Sequence, residues 1–286
     1  MKRRKKLQEL TIKDNFMFGA VMCDEKNCKK FLEMALGFSI AKVEVSKEKS
    51  MVYHPQYKGV RLDVYAKDEN NTHYNVEMQA VRKDDLPRRA RYYHSQIDME
   101  LLVSGAEYTE LPNSYVIFIC DFDPFEKGKY RYTFQNKCNE LHEFSLDDGI
   151  HTIFFSTKGK NEEEVPKELV KFLKFVGADL QESTEDYEDE FVKELQKSVA
   201  HVKTSREMEE RFMLLELMLK DEHKAGKIEG KIEASIENLL ELLEELSVVP
   251  ENLRKTIMEE TDLSTLKKWL KLAAKSSSIE QFMENM

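Results

Sequence analysis

Three polar side chains, Asp63, Glu77 and Gln79, carry the chemistry that this chain can be read for. From Gly59 the sequence runs Gly-Val-Arg-Leu-Asp-Val-Tyr-Ala, then a polar turn, then Asn-Val-Glu-Met-Gln to Gln79. It reads as two short strands joined by a tight connection. Side chains alternate faces along a strand, so Tyr74, Val76 and Met78 point one way and Asn75, Glu77 and Gln79 the other. Carboxylates gathered on one sheet face repel each other unless something positive lies between them, and that is usually a metal ion. Asp63 and Glu77 would supply hard oxygen ligands for Mg²⁺, which takes one or two carboxylates and keeps waters; Mn²⁺ or Ca²⁺ are the alternative ions. The backbone carbonyl of Met78 adds a neutral oxygen. Such an ion lowers the pKa of a bound water and neutralises charge building on a phosphate. The Gln79 amide can hold that water. This is chemistry for cleaving a phosphodiester. The plain alternative makes Glu77 and Gln79 the solvated face of an edge hairpin.

Positioning these residues takes a sheet. Asp14 to Leu36 has helical apolar spacing, with a polar break near Asp24–Asn27 and Gly37 as its stop. Val43–Val52 predicts a strand ahead of the two above, and Lys67–Thr72 the turn between those two. Asp84–Gly105 predicts one helix, capped by Asp84 or Asp85, with Pro87 in its first turn. The unbroken apolar run Ser114–Asp121 predicts a strand buried on both faces. Shorter strands are predicted at Tyr130–Gln135 and His151–Ser156, and a helix at Glu163–Val176 with Pro166 in its first turn. The fold class is α/β (α+β), a central mixed sheet with helices on both faces.

From about Glu185 helix formers replace strand signals, so the expected division is 1–180 and an all-helical region 185–286. Gly226-Lys-Ile-Glu and Gly230-Lys-Ile-Glu set Ile228, Ile232 and Ile236 four apart, and the stripe continues through Leu239, Leu243 and Leu246. Glycines inside a helix cost about 1 kcal/mol each. Ser247–Pro250 breaks the stripe, and short helices follow at Glu251–Glu260 and Leu263–Ala274. The stripe needs a partner helix, from the terminal helices or from a second copy. Self-association as a homodimer is the expectation.

With 286 residues the chain has room for about two domains. No apolar run approaches the roughly 20 residues of a membrane helix, and the basic cluster Lys2–Lys6 lacks the apolar stretch of a secretory signal. That cluster reads as a polar tail or as a phosphate contact. Cys23, Cys28, Cys120 and Cys138 have no paired-ligand rhythm, which argues against a zinc site and suits free thiols in a reducing cytoplasm. The histidines show no metal-binding spacing. Net charge is −10, but residues 1–158 carry 25 Lys and Arg against 24 Asp and Glu, and residues 159–286 carry 19 against 30. Only the first half can offer a polyanion a positive surface.

Arg61-Leu-Asp63-Val with Val76-Glu77-Met-Gln79 resembles the PD-(D/E)XK nuclease superfamily, and more narrowly its Rpn-type recombination-promoting nuclease / putative transposase group. Asp14-Asn-Phe16-Met-Phe18, the helix with Arg88, Arg91, Tyr92 and Tyr93, and Tyr115-Val-Ile-Phe-Ile with Asp123-Pro-Phe125 extend the likeness over roughly residues 10–175. The resemblance implies a restriction-endonuclease-like core that hydrolyses DNA with Mg²⁺ or a similar ion, in mobile-element recombination or defence. Asp63 matches the first acid of that pattern and Glu77 the second. Gln79 stands where the superfamily has Lys, so Gln79→Lys is expected to restore or raise activity. Pro55 lies eight residues before Asp63 rather than beside it. Asp14 is either the extra acid of some members or an N-cap. Arg88, Arg91 and Tyr92 either touch DNA or, for the arginines, pair with Asp84 and Asp85. A homodimer suits an enzyme that cuts both strands.

A second class of function fits the same residues: a catalytically silent scaffold that binds a protein partner through its acidic helical tail. The missing Lys and the acidic second half motivate it. A strand-transferring transposase of the ribonuclease-H type is disfavoured, because here the two acids lie fourteen residues apart on adjacent strands. The Trp269 helix has a vague helix-turn-helix look, but its acidity argues against DNA reading.

Overall fold

A computed structural model describes residues 5–51 and 60–286. Val52, Pro55, Lys58 and Gly59, and Lys2–Arg4 of the basic cluster, lie outside the described residues. Two helices open the chain, α1 (Asn15–Met22) and α2 (Glu25–Leu36). They divide where the polar break predicts: Asp24 caps α2 by accepting the Asn27 N–H at 3.0 Å. Gly37 ends α2 at φ 80°, a left-handed conformation that a side chain would strain.

Six strands follow among the described residues: β1 (Val43–Met51), β2 (Val60–Asp68), β3 (His73–Gln79), β4 (Ser114–Cys120), β5 (Arg131–Phe134) and β6 (Ile150–Ser156). They form one mixed sheet in the order β1-β2-β3-β4-β6-β5. The β1–β2 and β2–β3 pairs are antiparallel hairpin partners. Helix α3 (Leu86–Leu101) crosses over between β3 and β4, so that pair is parallel, as is β4–β6. The apolar run of β4 is buried except at the half-buried Tyr115, because it has a neighbour on each side and helices on both faces.

The alternation read from β3 holds. Tyr74, Val76 and Met78 share one face with Ile117, Ile119 and Phe155, beneath α1, α2 and α4 (Lys167–Gly177). Phe31 of α2 packs on Phe155 and on Phe172 of α4, at centroid distances of 6.3 and 5.3 Å. The opposite face carries Asn75, Glu77 and Gln79 beside Val116, Phe118 and Cys120. Helix α3 covers it with Leu86, Ala90, Tyr93 and Ile97, a three-and-four spacing.

Some boundaries differ from expectation. Helix α3 stops at Leu101, short of Gly105, which sits in the following turn. Helix α4 starts only at Lys167, because Pro166 serves as its N-cap and Glu162–Glu164 forms a separate 3₁₀ turn. A helix α5 (Glu190–Thr204) buries Val192, Leu195 and Val202 and packs against α1, α2 and α4. The chain accordingly divides into compact units Met1–Glu209 and Glu210–Met286, so α5 belongs with the sheet and not with the tail as the 180/185 division has it.

The second unit is helical throughout. Helix α6 (Arg206–Leu246) runs unbroken through both glycine repeats and is followed by α7 (Glu251–Glu259), α8 (Leu263–Ala273) and an unexpected α9 (Ile279–Asn285). Leu239 and Leu243 of α6 are buried with Leu253, Ile257, Leu266 and Phe282 of the short helices, and Ile232, Ile236 and Trp269 pack against them. The terminal helices of the same chain thus cover this part of the stripe. Met213, Leu214, Leu217 and Met218, earlier on α6, stay exposed.

Candidate functional site

Strands β2 and β3 pair from Lys67↔His73 to Val64↔Val76, one residue short of the point where Asp63 meets Glu77. Side chains take over the pairing there. The Asp63 N–H donates to Glu77 Oε1 at 3.2 Å, and the Met78 N–H donates to Asp63 Oδ2 at 3.2 Å. This reciprocal pair of charge-assisted bonds fixes both carboxylates side by side at the opening of the hairpin. His73 N–H bonds Asn113 O, and Asp121 N–H bonds Gln79 O, so the odd-numbered residues of β3 spend their backbone groups on β4. By alternation Met78 turns its N–H and its carbonyl toward β2 and the same opening.

Glu77 is only 2% exposed, with Phe118 beside it on β4 and Tyr93 above. Burial pushes its carboxyl up to about 7, and the Asp63 charge adds to that; the Asp63 N–H and the Arg89 guanidinium work against it. Arg89 reaches down from the first turns of α3. Its Nη1 donates to Gln79 Oε1 at 3.2 Å, and its Nη2 lies 3.4 Å from Glu77 Oε2 and 2.5 Å from the Tyr93 hydroxyl. The Tyr93 hydroxyl in turn lies 3.5 Å from Glu77 Oε2. Asn75, two residues before Glu77 on the same face, is fully buried. Its amide is near enough to favour the ionised Glu77, yet neither of its polar atoms has a hydrogen-bond partner among the described residues.

Asp63, Glu77, Met78 and Gln79 therefore come together. Asp14 does not join them. It occupies the N-cap position of α1 without capping it, and its carboxylate accepts the Thr11 N–H and the Lys5 ammonium, each at 2.8 Å. Arg88 and Arg91 are exposed on α3, and among the described residues neither pairs with Asp84 or Asp85. Tyr92 is half-buried and packs against the core beneath α3. Arg89, Tyr93 and Asn75 were given no role by sequence reasoning. For Arg89 a signal existed: it lies three residues after Leu86 and four before Tyr93, both on the buried face of α3.

The donor set limits what the site can hold. No cluster of three or more His, Cys, Asp or Glu side chains that could hold a metal exists among the described residues. Two adjacent carboxylates, one with its proton affinity raised by burial and by the neighbouring Asp63 charge, and a carbonyl directed into the same opening fit a hard divalent ion that keeps waters. The four cysteines are free, and burial pushes the Cys28 and Cys120 thiols up to about 12, out of the reactive range. No helix among the described residues is long and apolar enough to cross a membrane.

A family model described as PD-(D/E)XK nuclease family transposase matches residues 12–234, from the approach to α1 to beyond the second glycine repeat in α6. No curated protein and no solved structure gave a significant match.

Proposed function

The chain belongs to the PD-(D/E)XK nuclease family transposases, and from that premise we propose that it is a metal-dependent DNA endonuclease hydrolysing phosphodiester bonds. One observation carries the reading: the reciprocal backbone bonds that hold Asp63 and Glu77 side by side where the β2–β3 ladder ends. In this reading Asp63, Glu77 and the Met78 carbonyl hold Mg²⁺, with Mn²⁺ or Ca²⁺ as the other hard ions the donor set admits. A bound ion supplies a water of lowered pKa and offsets the charge that grows on the phosphate.

The chain's own groups do the rest. The Met78 N–H orients Asp63, and the Asp63 N–H orients Glu77. Where the superfamily has a charged Lys, the Gln79 oxygen accepts Arg89 and draws a guanidinium to the site instead. Held also by Tyr93, that guanidinium offers the phosphate a fixed positive charge. The remaining Gln79 amide group holds the attacking water. Arg88 and Arg91, exposed on the outer side of α3, contact the DNA backbone. The exposed apolar residues Met213, Leu214, Leu217 and Met218 of α6 favour self-association, and the free thiols suit the cytoplasm. Two acids fourteen residues apart on adjacent strands favour hydrolysis over strand transfer of the ribonuclease-H type.

Plasmid nicking tests the proposal. Mg²⁺-dependent cleavage by the wild type should vanish in Asp63→Ala and in Glu77→Ala, and cleavage surviving both would refute it. One observation favours the silent scaffold instead: Arg89 already lies against Glu77 Oε2. Calorimetry showing no Mg²⁺ or Mn²⁺ binding, with no nucleic acid cleaved, would select that reading.

A further inference from the structure

On the other flank of α3 lies a cavity that the cleavage chemistry does not use. It measures about 440 Å³, within the range of small-ligand pockets. Its walls are Phe125, Phe134 and Phe154, from three different segments of the chain. Phe125 and Phe134 both meet Phe154 edge-on, at centroid distances of 5.1 and 5.8 Å and interplanar angles of 86° and 89°. Phe134 on the edge strand β5 meets the Phe125 ring at a centroid distance of 5.2 Å and still leaves 46% of its surface exposed. His94 is locked into the lining, its two ring nitrogens 2.8 and 3.0 Å from the Ser114 and Thr152 hydroxyls. Arg91, exposed and without an ion pair among the described residues, stands at the rim. Asp98 and Asn136 add hydrogen-bonding groups.

Aromatic walls, a cation at the rim and a few hydrogen-bonding groups match the parts of a nucleotide: a flat base, its polar edge and its phosphate. The position fits as well. Glu77, Phe118 and Phe154 stand in register across β3, β4 and β6. Two strand spacings put Phe154 about 10 Å from Glu77 on the same face of the sheet. Arg88 and Arg91, three apart, form an exposed basic ridge beside the cavity.

We propose that this cavity takes a nucleobase splayed out of the bound DNA strand, close to the phosphate held at Asp63 and Glu77. The inference rests on the nuclease reading. It makes single-stranded or unpaired DNA the favoured substrate, because such a base leaves its stack at little cost.

The full chain, in EDTA so that nothing is cut, is titrated with a fluorescein-labelled single-stranded oligodeoxynucleotide and with a fully abasic strand of equal length. The wild type should bind the base-bearing strand about tenfold more tightly, the scale of one base–aromatic stack. Phe134→Ala should lose that preference and bind the abasic strand as the wild type does, while Phe134→Tyr retains it. Phe134 is near the surface, so the alanine variant keeps its core. A preference left unchanged in Phe134→Ala overturns the pocket, and the nuclease reading survives if the wild type still nicks plasmid with Mg²⁺. A wild type that binds neither strand and cuts no plasmid overturns both.

Discussion

Replacing Glu77 with Gln should stabilise the fold while abolishing metal binding. Burial and the neighbouring Asp63 raise the Glu77 carboxyl from its ordinary 4.5 to about 7. At about 1.36 kcal/mol per pH unit, ionising it in the folded chain costs on the order of 3 kcal/mol. The direction follows from proton counting. Between the two values the folded state holds a proton that the unfolded state has released, so stability is full below about 4.5 and falls as pH rises through about 7. Glutamine keeps the shape, can still accept the Asp63 N–H, and carries no charge. It leaves Arg89 with Gln79 and Tyr93 as partners, so part of the gain is given back. A net stabilisation of roughly 1–3 kcal/mol at pH 8 is expected, with little difference at pH 5. For a domain of this size that is a Tm rise of very roughly 2–12 °C. Thermal melts of both proteins in EDTA from pH 5 to pH 8 measure it. Adding Mg²⁺ at ten times its Kd should then raise the wild-type stability at pH 8 by about 1.4 kcal/mol and leave the variant unmoved. A wild type whose stability does not decline across this range, or a variant less stable at pH 8, would refute the reasoning.

Three further outcomes follow from the same geometry. Arg89→Ala removes a charge that holds Glu77 down, so the rise of cleavage rate with pH should shift to higher pH as well as lose amplitude; an unshifted profile contradicts the placement. Gln79→Lys, expected from sequence to raise activity, should instead lower it, because Gln79 Oε1 receives Arg89 and an ammonium there repels the guanidinium. Adding Arg89→Gln should recover activity, and a lysine variant that is faster on its own would show that Arg89 is not the charge in use. Gly226 and Gly230 lie inside α6 with nothing among the described residues within 4 Å of an added Cβ, so changing both to Ala should stabilise the helix by up to about 2 kcal/mol, read as increased helical circular dichroism on heating.

The sheet and its site were legible where a local rule decides. Alternation along β3 sorted Glu77 from Met78, and the unbroken apolar run marked β4 as a strand buried on both faces. The partnership of Asp63 with Glu77 was readable because a short hairpin leaves few registers. Arg89 was hidden for the opposite reason. Its spacing from Leu86 and Tyr93 turns it inward, but which strand residues it meets depends on where α3 settles on the sheet. The aromatic cavity was hidden too, since Phe125, Phe134 and Phe154 come from segments that only the β5–β6 pairing brings together. Asp14 had the right residue type, but a turn with Lys5 and Thr11 engages it. The terminal helices were one of the two covers the α6 stripe allowed, but α9 itself was not legible, because it is seven residues long and periodicity says little at that length.

The proposed activity requires that Asp63 and Glu77 jointly bind a divalent ion that drives hydrolysis of DNA. Calorimetric titration of Mn²⁺ into the wild type, Asp63→Asn and Glu77→Gln, with plasmid nicking followed in the same buffer, tests it most directly. Binding and nicking by the wild type, lost together in each variant, is the predicted result. Ion binding and cleavage that persist in both variants, or a wild type that takes up no ion at all, would contradict it.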